Sequence, residues 1–126
     1  MLDSKAWVYG LLKNNTALTT ALGSSDRIQY MYPNTFNTLP VVTYQEINSR
    51  NVEFYDNAAF ADEITIHVDV WANTSTTALA KLVDAVFAAN LFTRDFSSDV
   101  PEPDAKIYHR VMRFHRVINA DDLDAN

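Results

Sequence analysis

Glu63-Ile64-Thr65-Ile66-His67-Val68-Asp69-Val70-Trp71 alternates without a break. In an extended chain Ile64, Ile66, Val68 and Val70 fall on one face, and Thr65, His67, Asp69 and Trp71 on the other. This pattern predicts the central strand of a sheet with one face in a core. Immediately downstream, Ala72-Asn73-Thr74-Ser75 carries residues suited to cap a helix. Leu79, Leu82, Val83, Val86 and Phe87 then repeat at the spacing of a helix burying one side, over about residues 75–90.

Upstream, Val41 to Ile47 is rich in strand formers and opens after Pro40, where a missing N–H does little harm. Arg27 to Tyr32 reads as a short strand, residues 34–38 as polar loop carrying Phe36, Val52 to Tyr55 as an edge strand, and Asp56-Asn57 as a turn. At the N-terminus, Asp3 or Ser4 can cap a helix from Ser4 to Asn14. Thr16 can cap a short helical turn through Leu22, which Gly23 would end in the left-handed conformation. Residues 91–104, with Pro101, Pro103 and four acidic residues, read as a long exposed loop. Lys106 to Ile118 is the last strand, and residues 118–126 form an acidic tail expected to be disordered. The order helix, strands, helix, strand predicts one α+β domain over residues 1–126, with a mainly antiparallel sheet and two main helices on one face.

Composition narrows the function. A formal net charge of -6, from 16 acidic and 10 basic residues, disfavours general DNA binding and anionic membranes. The absence of cysteine removes disulfides, thiolate metal sites and a cysteine nucleophile. The N-terminus has no signal-peptide pattern, and the sequence has no apolar run of membrane-spanning length, so neither export nor membrane insertion is expected. Glycine averages about 7% of residues, and the two present here, Gly10 and Gly23, cannot build the usual phosphate-cradling loops or a nucleophile elbow.

Three constellations bear on chemistry. His67 and Asp69 share a face, and His109 could join them across a strand pair to share a proton or a metal. Structural sites use three or four converging ligands, so alternating polar residues on an outer sheet face are the simpler reading. Adjacent carboxylates such as Asp62-Glu63 and Asp121-Asp122 diverge in direction and read as solvated surface. Tyr30, Tyr32 and Phe36 have no basic groove interleaved with them and read as packing. No catalytic residue and no cofactor is expected.

Lys106 to Ile118 is unusual because both of its faces mix apolar and basic residues. Ile107, Val111 and Val117 share a side with His109, Arg113 and His115. Tyr108, Met112, Phe114 and Ile118 share the other with Arg110 and Arg116. Long arginine stems can lie over apolar neighbours with their heads in solvent. Alternatively, another subunit covers part of this surface and pairs with the cations. On that second reading Arg110, Arg113, Arg116, His109 and His115 are interface residues.

Leu39-Pro40-Val41-Val42-Thr43-Tyr44-Gln45-Glu46, Tyr55-Asp56, Val68-Asp69-Val70-Trp71-Ala72 and Ile107-Tyr108-His109-Arg110-Val111-Met112-Arg113-Phe114 together resemble the tail-completion, or tail-to-head joining, proteins of long-tailed bacteriophages. The resemblance runs from the first helix to about Ile118. It implies an α+β fold similar to the tail terminators of lambda-like phages and a structural, non-enzymatic virion protein, assembled in the host cytoplasm. It further implies a ring of six copies on the head-proximal end of the tail tube, from chains that can be monomeric when free. The partners so implied are the tube protein and the head connector or stopper, with DNA passing through unread and no membrane. The alternatives are a head-completion or stopper protein, and a small metal-dependent enzyme using His67, Asp69 and His109. Residues 52–61 and 95–104 are expected to be loops that order on docking.

Overall fold

The computed structural model describes residues 1–33, 39–53, 60–104 and 106–124. Its elements are α1 (Lys5–Lys13), α2 (Thr16–Leu22), a 3-10 turn (Ser25–Arg27), β1 (Ile28–Tyr30), β2 (Val41–Glu53), β3 (Phe60–Ala72), α3 (Thr77–Ala89), β4 (Thr93–Val100), β5 (Tyr108–Asn119) and α4 (Ala120–Asp124). The strands form one sheet in the order β1-β2-β3-β5-β4. Among the described residues, only the β1–β2 pair is parallel.

β3 is the central strand, as its alternation predicts, flanked antiparallel by β2 and β5. Ile64, Ile66, Val68 and Val70 are all at most 1% exposed. They meet Trp7, Val8 and Leu12 of α1, Leu18 and Leu22 of α2, and Leu79, Val83, Val86 and Phe87 of α3 in one core. All three helices therefore cover the same sheet face. Phe87 stacks on Phe114 of β5 with ring centres 4.3 Å apart, fixing α3 over the middle of the sheet.

The helix ends explain several boundaries. Asn15, not Thr16, caps α2: its side chain accepts from the Leu18 N–H at 2.9 Å, and Gly23 closes the helix at φ 93°. At α1 the Asp3 carboxylate accepts from the Lys5 N–H, while the buried Ser4 hydroxyl donates to Glu46 at 3.2 Å. Burial raises the Glu46 carboxyl above the ordinary range against the lowering effect of that bond, and Asp3 and Asp62 add to the rise. Burial also pushes the Tyr44 hydroxyl up to about 12, where it donates to the Lys5 carbonyl.

α3 ends in a paired closure. Phe92 N–H bonds the Phe87 carbonyl and Leu91 N–H the Ala88 carbonyl, while Phe92 packs edge-to-face on Phe87. This geometry requires a left-handed residue at position 91, and the glycine-poor chain supplies Leu91, with φ 68°.

Five expectations change. Asp62 is not solvated surface but buried, and its carboxylate accepts from the Leu2 N–H at 2.7 Å. Residues 91–104 are not simply a loop, because 93–100 form the edge strand β4 on β5. Its sequence, Thr-Arg-Asp-Phe-Ser-Ser-Asp-Val, lacks alternation because it is exposed and shifts register between Arg94 and Phe96. Val52 does not begin a separate strand, since β2 runs on to Glu53 past a register shift between Glu46 and Asn48. The acidic tail carries a helix, α4: Asn119 and Asp122 exchange side-chain-to-backbone bonds in a reciprocal cap, and Asp121 and Asp122 sit in its first turn. Of the segments expected to order on docking, 95–100 lies in β4 and 52–53 and 60–61 lie in β2 and β3. Phe36, the loop at 34–38, Tyr55 and the turn at Asp56-Asn57 lie outside the described residues.

Leu91 is exposed, so replacing it with glycine removes little packing and relieves the left-handed backbone. Leu91→Gly should raise stability by about 0.5–1 kcal/mol and the melting temperature by about 2–4 °C. A thermal melt showing an unchanged or lower midpoint would refute this reading of the α3 terminus.

Candidate functional site

The face of the sheet turned away from the helices carries the polar half of the β3 alternation. Strand pairing places His67 opposite Arg113, Asp69 opposite Val111, and Trp71 opposite His109. His109, Asp69 and His67 do come together, as a hydrogen-bonded row. Asp69 Oδ1 lies 2.6 Å from His109 Nε2, and Oδ2 lies 3.2 Å from His67 Nε2. The second nitrogen of His109 meets Glu102 Oε1 at 2.7 Å. Arg113 Nε–H donates to His67 Nδ1 at 3.3 Å, which makes that nitrogen an acceptor and leaves the His67 proton on Nε2, facing Asp69.

Trp71 completes the row. Its ring stacks on that of His109, 3.6 Å between centres and 11° from parallel, and its N–H donates to Thr43 of β2 at 3.2 Å. The His67, Asp69 and His109 side chains are 14%, 13% and 9% exposed, well covered for an outer sheet face. At 2.6 Å the Asp69–His109 contact is a direct hydrogen bond. An ion between the two groups would sit at about 2.0–2.2 Å from each ligand atom and hold them farther apart. Among the described residues no group of three potential ligands has the arrangement of a metal site.

The five interface candidates have different surroundings. Arg116 points to the helix-covered face. It donates to the Asn90 carbonyl at the end of α3, pairs with Asp122 of α4 at 2.9 Å, and lies over the Trp7 ring. Its side chain is 13% exposed and ties three elements together. Arg110 is on the same face, bonded to Ser97 and Asp99 of β4. For these two arginines the apolar-stem reading describes the geometry. His109 is taken up in the outer-face row.

Arg113 and His115 occupy the open part of the outer face. Arg113 is exposed, with its guanidinium 5.7 Å from the Phe96 ring centre. His115 pairs with Asp95 at 2.7 Å. Beside them Phe96 and Val117 stand 46% and 38% exposed. An arginine, a histidine and two part-exposed apolar side chains on β5 and the adjacent edge strand β4 combine the chemistry of an anchor residue with that of a polar rim.

Glu102, Phe96 and Asp95 were absent from the sequence-derived site because all three depend on β4, which has no periodic signal. Trp71 shares the parity of His67 and Asp69, and that parity was the available clue.

Comparison with known proteins agrees with this architecture. No curated protein matches the chain. A solved chain from the "Virion of native gene transfer agent (GTA) particle" superimposes with a TM-score of 0.62 at 14% sequence identity, covering 90% of this chain and 92% of that one. At that identity the likeness is one of fold, an α+β virion protein fold. The family model described as "Tail completion protein gp17" matches residues 6–119, from α1 to the end of β5. The chain thus belongs to the tail completion protein gp17 family, structural proteins of the phage virion tail.

Proposed function

We propose that copies of this chain close into a ring on the head-proximal end of a phage tail tube, stop tube growth and form the surface that docks on the head connector. The family match over residues 6–119, which takes in every strand of the sheet, is the observation that carries this reading. The fold likeness to a chain of a gene transfer agent virion supports it. Head-to-tail contacts around a rotation axis, closing where the angle fits, are the route to such a ring, with six copies as the expected number. Free chains are monomers that assemble in the host cytoplasm.

Within this reading Arg113 and His115, with Phe96 and Val117, form the contact surface of each subunit. A neighbouring copy bears a net charge of -6 and offers carboxylates to the guanidinium. The tube protein and the head connector are the remaining partners. The same negative charge suits a lumen through which DNA slides, because it repels the phosphates. Arg110, Arg116 and His109 hold the subunit together and act on assembly through the fold.

Two experiments test these assignments. Arg113→Glu should leave the melting curve close to the parent's while impairing completion of tails. Arg116→Ala should lower stability by about 2–3 kcal/mol, since it strands Asp122 and the Asn90 carbonyl. The reverse pattern would exchange their roles. Electron microscopy of a lysate lacking the protein should show filled heads beside separate, overlong tails. Heads that leak DNA would instead assign the chain to the stopper position on the head side.

A further inference from the structure

We propose that His109 is a latch, protonated on both ring nitrogens, that holds the β4–β5 link against the sheet and releases it when the ring gives up one proton. This goes beyond the ring reading and does not depend on it. The link turns at Asp104, whose carbonyl and carboxylate accept from Ile107 N–H and Lys106 N–H, and Glu102 carries its bond to the sheet. Both nitrogens of His109 lie within 2.7 Å of a carboxylate oxygen, Glu102 on one side and Asp69 on the other. An ionised carboxylate can only accept, and a neutral imidazole has a single N–H. The two bonds therefore form together when the ring carries two protons. The stacked Trp71 ring, 3.6 Å away, adds its face to the stabilisation of that cation.

The surroundings determine which bond breaks first. Facing His109 from β3 are Asp69 and, through it, His67. From the link comes Glu102, and along β5 itself Arg113 acts by way of His67. β2 contributes the uncharged Thr43 through Trp71, and β4 the apolar Val100, while Asp99 is paired to Arg110 on the opposite face. Ser75, Thr76 and Thr77 before and at the start of α3 line the adjoining recess of about 400 Å³ and carry no charge. Asp69 is fixed in the central strand and also faces the His67 N–H. Glu102 is on the link and is the more exposed, at 23% against 13%. When the ring loses a proton to solvent, its remaining N–H keeps Asp69, and the lone pair left facing Glu102 repels the carboxylate. The favoured latch is present while the ring is doubly protonated and both carboxylates are ionised. It is lost as the pH rises and the ring gives up a proton.

The test uses the full chain, labelled with nitrogen-15, with the histidine ring nitrogens and the link amides followed together across pH. The expected result is that His109 shows two N–H groups wherever the link amides are protected, and that both signals are lost together as the pH rises, after correction for the intrinsic chemistry of exchange. His115, paired with Asp95 away from the row, is the internal control whose ring signals should not track the link. Glu102→Gln should speed link exchange by about tenfold in the latched range, the scale expected for loss of a charge-assisted bond, and abolish its pH dependence. A His109 ring with one N–H at pH values where the link is protected would overturn the proposal, as would link exchange unaltered by Glu102→Gln.

Discussion

The structure depends on burying four side chains of one strand. Ile64, Ile66, Val68 and Val70 contribute about 1.5–3 kcal/mol each when taken fully out of water, and no other strand has so long an unbroken apolar row. The row must be covered, so α1, α2 and α3 gather on one side, with β2 and β5 extending the same surface through Val42, Tyr44, Met112, Phe114 and Ile118. A strand has a period of two, so the same constraint assigns Thr65, His67, Asp69 and Trp71 to the opposite face. The outer-face row is thus a consequence of the core. A one-residue slip of β3 would destroy both at once.

Arginine on β5 serves two purposes, decided by parity. Arg110 and Arg116 share the face of Met112 and Phe114, so their stems lie along the core and their heads reach carboxylates and a helix-end carbonyl at its rim. Arg113 has the other parity and stands among part-exposed Phe96 and Val117. A single strand thereby closes the fold on one side and presents a surface on the other. The scarcity of glycine adds a cost elsewhere. With only Gly23 described in a left-handed conformation, Met31 and Leu91 adopt positive φ at two further turns.

Much of this was legible in the residues. The alternation of β3, the helical spacing of Leu79 to Phe87 and the stop at Gly23 each follow from a local rule, and each is present in the structure. Parity alone brought His67, Asp69 and His109 to one face, because β3 and β5 are adjacent. β4 was not legible. It is an edge strand, exposed on most positions and interrupted by a register shift, so its pairing with β5 rather than its own pattern makes it a strand. Everything that β4 and the link carry, including Glu102, Phe96 and the partners of Arg110, was hidden with it. The helix in the acidic tail was missed for another reason, since composition indicated solvation while the Asn119–Asp122 cap and the Arg116 pair fix its first turn. The mixed faces of Lys106 to Ile118 allowed either stems over a core or a covered surface, and the first reading describes Arg110 and Arg116, while Arg113 stands exposed on the other face.

Family membership makes this chain a component of the phage tail. The position and orientation are our proposal: a ring at the head-proximal end, with the Arg113 face in contact with a neighbour or the tube. An electron cryo-microscopy reconstruction of the head–tail junction in the intact virion tests that claim most directly. The account predicts a ring of this chain between the last tube layer and the connector, with Arg113 and Phe96 buried against another chain. Density for this chain at the distal tip, along the tube, or on the head side of the connector would contradict it, and so would a ring in which Arg113 faces open solvent.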